Sequence, residues 1–265
     1  MKKFIKICAL CLAVCATFVF SACGKNAVES QFNSTANVNT GNEASYQSCT
    51  KNDFVQYVNA NTNDNTLEMS GYRMSGTIQT KVTDEETEEL VDTTITLNML
   101  VLNNNGSIEM AIKMNSEGMD IYSFVKDNYM YFKMVIEVYG EPAEIKVKSQ
   151  LPNDFDYGDL DLSESIVNFE DLYEMINNTE DLKISTYIDG TTTRYKVEMD
   201  YKGDVGELVE SGKYVSYYVF ENDLLSEFSV TLTSDITTMN LNMCKYTGSI
   251  AYPNLNEYVD YSSFI

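Results

Sequence analysis

The stretch TITLNMLVLNNNGSIEMAIKM, residues 94–114, decides the fold class. In its first half Ile95, Leu97 and Met99 alternate with polar residues, which is the period of a half-buried β-strand. The alternation resumes after Asn105-Gly106, a dipeptide that tolerates the positive φ of a two-residue type I′ turn. The stretch therefore predicts two antiparallel strands joined by a tight hairpin.

The same period of two recurs on both sides of this hairpin. It predicts further strands, in chain order, over residues 72–78, 119–125, 129–138, 144–149, 182–188, 195–201, 214–220, 225–233 and 239–243. Lys126-Asp127-Asn128 and Glu221-Asn222-Asp223 are turn sequences between neighbouring strands. Because the connections are short, we expect one continuous antiparallel sheet and no βαβ units.

Three segments have the apolar spacing of helices. They cover residues 53–61, 163–177 and 205–210. With so few helices, we expect them to lie across one face of a strongly curved sheet. The predicted class is mainly β (α+β).

The N-terminus has the pattern of an export signal. Lys2, Lys3 and Lys6 precede an apolar run of about 14 residues, which is shorter than the ~20 needed to span a bilayer. The run ends in Phe20-Ser21-Ala22-Cys23-Gly24, which resembles the bacterial lipobox, although Phe20 stands where Leu is usual. We predict a signal peptide over 1–22 and a lipid on Cys23; an uncleaved anchor and an ordinary secretory signal are the alternatives.

Residues 24–50 are rich in Asn, Ser, Thr and Gly and have no apolar period. This composition predicts a disordered tether with an r.m.s. span of about 30 Å. The predicted organisation is a signal peptide (1–22), a lipidated cysteine with its tether (23–50) and a single β domain (51–265). The protein is expected on the extracytoplasmic face of the cell membrane.

The charge balance limits the class of partner. Removal of residues 1–22 takes three of the 18 basic residues and none of the 40 acidic ones, so the mature charge is 15 minus 40, or −25. Such a charge disfavours nucleic acid and anionic lipid surfaces. A covalent lipid would then supply the attachment to the membrane.

A family resemblance follows from this pattern together with two strand sequences. Residues 71–78 (GYRMSGTI) and 125–133 (VKDNYMYFK) are similar to strands of LolA/LppX-type lipoproteins of Gram-positive bacteria. The resemblance covers about residues 51–255 and is one of pattern. It implies a curved antiparallel half-barrel whose helices cover an apolar concave face that holds a lipid or lipid-linked precursor.

The residues that could carry catalysis or hold a metal are few. The chain has no histidine, the commonest general base and zinc ligand, and only Cys49 and Cys244 remain after Cys23. We therefore expect no enzymatic activity, no cofactor and no metal. Cys49 and Cys244 either form a disulfide in this oxidising compartment or remain two free thiols.

Methionine is the most suggestive residue type, because flexible thioethers suit apolar ligands of variable shape. The predicted ligand-binding residues are Leu97, Met99, Met110, Ile112, Met114, Met130, Phe132, Met134, Met199, Met239, Leu241 and Met243. The alternative is that these side chains fill an ordinary core. The protein would then be an interaction or structural lipoprotein of the cell envelope that binds a protein partner through its tyrosines.

Overall fold

The computed structural model describes residues 27–62, 71–83, 90–104, 107–116, 118–138, 141–151, 176, 179, 182–205 and 208–261. Helix α1 is Ala27–Ser30 and helix α2 is Lys51–Thr62, and single 3₁₀ turns occupy Glu43–Ser45 and Leu255–Glu257. The strands are β1 Gln47–Cys49, β2 Gly71–Thr83, β3 Leu90–Asn104, β4 Ser107–Ser116, β5 Met119–Lys126, β6 Tyr129–Val138, β7 Glu141–Gln150, β8 Leu182–Asp189, β9 Thr192–Val205, β10 Leu208–Glu221, β11 Leu224–Ser234, β12 Thr237–Lys245 and β13 Val259–Asp260.

All thirteen strands belong to one curved, open sheet. Their order is β1-β8-β9-β10-β11-β12-β2-β3-β4-β5-β6-β7-β13, so two meanders, β2–β7 and β8–β12, meet where β12 pairs with β2. The strand pairs are antiparallel, except that β13 runs parallel to β7. The prediction of a mainly-β chain with one continuous antiparallel sheet is confirmed.

Tight turns set the register of the hairpins. Asp127 and Asn128 have φ of 51° and 63°, and Asn222 and Asp223 have φ of 51° and 65°. Two successive positive φ values define the type I′ turn, whose twist matches that of the flanking strands. Between β3 and β4, Asn104 pairs with Ser107, as the predicted two-residue connection requires; residues 105–106 lie outside the described residues.

The three helix predictions have different outcomes. Helix α2 confirms the prediction for residues 53–61, whereas the segment 163–177 lies outside the described residues except for Ile176. The helix predicted over 205–210 is wrong, because β9 extends to Val205 and pairs there with Leu208 of β10. Six residues make too short a helix to compete with a strand hydrogen bonded along the ladder of its neighbour. The described residues therefore do not form the several covering helices that the predicted α+β arrangement requires.

The two faces of the sheet are covered by different parts of the chain. On the face called here the helix face, Phe54 and Val58 of α2 pack against buried residues such as Tyr195 and Tyr218. On the opposite face, called the terminal face, Val28 and residues from the C-terminal end of the chain pack against β3–β6. Side chains alternate between the two faces along every strand.

The predicted disordered tether is the largest difference between expectation and structure. Residues 27–46, called the strap, cross the terminal face and lead into β1, which pairs with β8 at the edge of the sheet. Val28, Phe32 and Ala36 are buried, and Phe32 stacks on Tyr122 with 6.1 Å between ring centroids. The burial of Val28, Phe32 and Ala36 holds the strap against the sheet, although the composition of the strap is typical of a disordered segment.

The sheet also binds the strap through polar contacts. The Ala36 amide donates to Ser75 Oγ (2.8 Å), Arg73 Nη1 donates to the Ser34 carbonyl (2.6 Å) and Arg194 Nε donates to the Asn39 carbonyl (2.8 Å). These donors and acceptors lie on β2 and β9, far from the strap in sequence. No local pattern in residues 24–50 predicts such contacts.

Candidate functional site

The twelve predicted ligand-binding residues all lie on the helix face. Alternation along β3, β4, β6, β9 and β12 turns them to the same side of the sheet as the side chains that pack under α2. Eight of them lie on β3, β4 and β6, and three lie on β12. The prediction that these residues share one face therefore agrees with the strand registers.

Met199 is separated from the main group. It lies on β9, eight strand spacings from β6 in the sheet order, which is about 38 Å along the sheet. Its Sδ accepts a hydrogen bond from Thr179 Oγ1 at 3.8 Å. Met199 and Met130 therefore lie on well-separated strands, although Met130 and the cross-strand partners of Met199, Leu182 and Tyr214, pack against the same core cluster.

Part of the helix face is a filled core. Met99 and Met243 have relative exposures of 1% and 0%, and both belong to the cluster that contains Phe54 of α2. The ring centroid of Phe54 lies 5.0 Å from that of Tyr195 and 5.6 Å from that of Tyr218. In this part of the face the methionines pack against protein, as the core alternative expects.

Gly76 contributes to this close packing. It pairs with Leu241 on β12 and Leu97 on β3, and a Cβ at position 76 would come within 2.8 Å of Leu241 Cδ1. The missing side chain therefore makes room for Leu241 between the two meanders.

A second apolar cluster on the helix face lies on β4–β7. It is called here the methionine cluster. Its buried members are Ile121, Met134 and Ile145, and its partly buried members are Met114, Met119, Phe132, Ile136 and Val147. Cross-strand pairing forms the row Met114–Ile121–Met134–Ile145 across the four strands.

The partly buried members make this cluster different from the packed core. Met114 and Phe132 are both among the predicted residues, and both retain some exposure. Met130, on the same strand as Phe132, also packs only partly against the larger core. Apolar side chains that stay partly exposed side by side can accept an apolar ligand.

Sequence reasoning missed five residues of the methionine cluster: Met119, Ile121, Ile136, Ile145 and Val147. The signal was present, because each alternates with polar residues in a predicted strand. The preference for methionine left out the aliphatic residues that pair across the strands, and Met119, the first residue of β5, was not selected either.

Tyr57 joins α2 to the turn between β10 and β11. Its hydroxyl donates to Asp223 Oδ1 (2.9 Å) in the β10–β11 turn, and its ring lies 5.2 Å from those of Tyr195 and Phe220. Burial raises the pKa of Tyr57, and the neighbouring carboxylate of Asp223 raises it further. The hydroxyl is therefore protonated at neutral pH and serves as a donor.

A charged network lies on the terminal face behind the methionine cluster. Glu144 Oε1 lies 2.7 Å from Lys133 Nζ, and Glu144 Oε2 lies 3.0 Å from Lys146 Nζ. Burial alone would raise the pKa of Glu144, but the hydrogen bonds and charges of the two lysines outweigh it and hold the pKa below its ordinary value. Glu257 adds a second carboxylate 2.7 Å from Lys146, so the charges of the network balance and we assign it to stability.

Of the two alternatives for the cysteines, the structure contains the two free thiols and not the disulfide. Cys49 and Cys244 are both free thiols, on β1 and β12. Five strand spacings separate these strands, about 24 Å along the sheet, whereas a disulfide needs Cα atoms within about 7 Å. Burial raises the pKa of both thiols, so they are not activated nucleophiles.

A pocket of about 370 Å³ lies on the terminal face, beneath the C-terminal segment. Its lining residues are Leu102, Glu109, Lys126, Tyr246, Thr247, Gly248, Ser249, Ile250 and Tyr252. None of the twelve predicted residues lines it. The Tyr252 hydroxyl donates to Glu109 Oε2 (3.0 Å), and Lys126 Nζ lies 4.3 Å from the Tyr252 ring centroid, so its polar groups already have partners.

Within the described residues, no three side chains of the metal-ligating types lie close enough together to hold an ion. None of the helices that the structure describes is long and apolar enough to cross a membrane.

Comparison with known proteins gives little similarity. No family model matches the chain, and no curated protein matches it either. Among solved structures, the crystal structure of the ywiB protein from Bacillus subtilis is 7% identical, covers 67% of this chain and 94% of that chain, and has a TM-score of 0.17. A TM-score this low carries no argument about fold or function.

Proposed function

We propose that the protein is a lipid-anchored, extracytoplasmic lipoprotein without catalytic activity that holds an apolar ligand on its methionine cluster. The ligand class is a lipid or a lipid-linked precursor. The anchor would be a lipid on Cys23, for which the basic start, the apolar run and the Ser21-Ala22-Cys23-Gly24 sequence are the support.

The observation that carries the ligand proposal is the partial exposure of the methionine cluster. Phe132 pairs with Val147 between β6 and β7, and Met114 lies two strands from β6, on β4, in the same cluster; all three side chains are apolar and only partly buried. Soluble proteins rarely leave such neighbours uncovered without a partner or ligand. Thioethers adapt to chains of different length and saturation.

The energetics of burial suit such a ligand. Each CH₂ group moved out of water contributes about 0.8 kcal/mol, so ten buried groups give a gross gain of about 8 kcal/mol. Association and ordering costs consume part of that gain. Burial of a single acyl chain can therefore supply useful affinity without any charged contact.

We further infer that the helix face is the concave face of a LolA/LppX-like half-barrel. The support is the packing of α2 on this face and the open, curved sheet on which it lies. In such an arrangement the helix-covered part is closed and the methionine cluster is the region left for a ligand.

The test is lipid retention by matched variants of the chain starting at Gly24, which keeps the strap. Met130→Asp with Phe132→Asp places two charges on the ligand surface and should abolish lipid co-purification, measured by native mass spectrometry. Met130→Leu with Phe132→Leu preserves apolar area and should retain the lipid. Circular dichroism of both variants shows whether the sheet is intact; equal retention by the two folded variants would refute the assignment.

The second candidate is an interaction lipoprotein with a filled core that binds an envelope protein. The complete burial of Met99 and Met243 under α2 favours it for that part of the sheet. If the chain carries no lipid and the methionine cluster is instead protected by a protein partner, this candidate replaces the first.

A further inference from the structure

The connection between the predicted lipid anchor at Cys23 and the first helix is much shorter than the tether expected from the sequence. Residues 24–50 were expected to be a tether, yet residues Ala27–Ser30 already form helix α1. Only Gly24, Lys25 and Asn26 separate Cys23 from that helix.

The three residues between Cys23 and Ala27 can span only a short distance. The four Cα–Cα steps from Cys23 to Ala27 span at most about 14 Å when fully extended. The expected tether had an r.m.s. span of about 30 Å and would have let the domain hang clear of the bilayer. The actual spacing keeps α1 beside the lipid.

A longer connection between Cys23 and the sheet would require the strap to detach, and its contacts oppose detachment. Gln31 and Ala251 exchange two hydrogen bonds of 2.9 Å, which join the strap to the C-terminal segment. Val28 and Phe32 lie in one buried cluster with Tyr122 and Ile250. Further along, the hydrogen bond from Ala36 to Ser75 is buried.

Two lysine–tyrosine pairs lie on the terminal face, where Tyr129 and Tyr252 pack against the buried cluster that contains Val28 of α1. Lys126 lies over the ring of Tyr252 at 4.3 Å, and Lys148 lies over the ring of Tyr129 at 5.7 Å. All four side chains are partly exposed on the terminal face. Tyrosine rings prefer the headgroup level, and lysine stems lie along apolar surface with the ammonium in water.

We propose that the terminal face over β4–β7, with α1, lies against the membrane that anchors the protein. The partner is a lipid surface, and the contact rests on the proposed lipidation of Cys23. The helix face is on the opposite side of the sheet, so the methionine cluster faces away from the anchoring bilayer.

The experiment uses the absence of tryptophan from the chain, since one introduced indole can then be excited selectively over the 19 tyrosines. In the mature chain with Cys49→Ser and Cys244→Ser, Cys23 is coupled to a maleimide lipid in phosphatidylcholine vesicles. Asn33→Trp places the probe on an exposed strap position, and Gln56→Trp places it on the exposed side of α2. Lipids with a nitroxide on the headgroup quench whichever probe lies near the surface.

We expect quenching of the Asn33→Trp protein to exceed that of the Gln56→Trp protein at least twofold. Insertion of 20 Gly/Ser residues between Asn26 and Ala27, about 25 Å of r.m.s. span, should remove the difference. Equal quenching without the insertion would overturn the proposal. Because the lipid is coupled chemically, this result does not depend on lipidation in the cell or on ligand retention. Lipidation in the cell is measured separately, from the intact mass of the exported protein.

Discussion

Glu144 illustrates, at the scale of single residues, how this acidic chain keeps a buried carboxylate. It is 6% exposed and lies on β7, within 3.0 Å of the ammonium groups of Lys133 and Lys146. Lys146 also lies 2.7 Å from Glu257, which joins the C-terminal segment to the sheet. One carboxylate therefore holds two lysines that would otherwise repel each other.

Glu144→Gln should lower the free energy of unfolding by about 1–3 kcal/mol at neutral pH, because it leaves two partly buried lysines without their shared charge. Urea unfolding monitored by circular dichroism measures the loss. Glu141→Gln, an exposed position on the same strand, is the control and should change little. An equal loss in both variants would contradict the role assigned to Glu144.

The same residue makes a prediction about pH. Its folded-state pKa is below the ordinary value of 4.5, so its contribution to stability is present above about pH 4.5 and is lost as pH falls through the folded pKa. Between pH 6 and pH 3 the unfolding free energy should therefore fall less steeply in Glu144→Gln than in the unchanged chain. Parallel pH profiles would contradict this linkage.

Asn128 tests the type I′ turn. Its φ of 63° is one that a β-branched residue rarely adopts, so Asn128→Val should destabilise the fold by about 1–2 kcal/mol. Asn128→Gly removes the steric conflict and should be tolerated. Thermal unfolding of the two variants, compared with the unchanged chain, checks the order of stability.

At the scale of elements, the strands are the part that sequence predicts best. The predicted strand 129–138 matches β6, because alternation on a half-buried sheet is a local signal. The methionine cluster was only partly predicted. Met114, Phe132 and Met134 were named, whereas Ile121 and Ile145 were missed, because the selection favoured methionine and packing across strands depends on register.

The strap was not predicted, for a different physical reason. Its polar composition lacks an apolar period, and it is held by distant side chains such as Ser75 and Arg194. A single sequence contains no local signal for contacts of that kind. The segment 205–210 failed for a related reason, since pairing between β9 and β10 decides its conformation.

Ser75→Ala tests how firmly the strap is bound. It removes the acceptor for the buried Ala36 amide, so we expect a loss of about 1–3 kcal/mol and faster hydrogen exchange over residues 27–46. Gln79→Ala, an exposed position of the same strand and face, is the matched control. Unchanged exchange in the strap after Ser75→Ala would show that this contact does not hold it.

Deletion of residues 24–50 tests the strap as an element. The deletion uncovers Leu100, Ala111 and Tyr122 on the terminal face and removes β1 from the edge beside β8. A chain of residues 51–265 should therefore unfold at lower urea concentration than one of residues 24–265 and should bind more of a hydrophobic dye. Equal midpoints would indicate that the strap adds no stability.

At the scale of the whole molecule, the sheet separates two roles. The terminal face carries the strap, the C-terminal segment and the charged network, and we assign it to stability and to the membrane surface. The helix face carries the core under α2 and the methionine cluster, and we assign the latter to the ligand. The formal net charge of −22 disfavours binding to nucleic acid.

The central claim is that the protein holds a lipid on the methionine cluster, and native mass spectrometry of residues 24–265 tests it most directly. The protein is purified from a bacterial host in a volatile buffer, and its mass is measured before and after organic extraction. The account predicts discrete added masses of a lipid class that extraction removes, with none on the Met130→Asp, Phe132→Asp chain. A clean mass of the protein alone, unchanged after incubation with membrane lipids, would contradict the ligand proposal and favour the protein-interaction candidate.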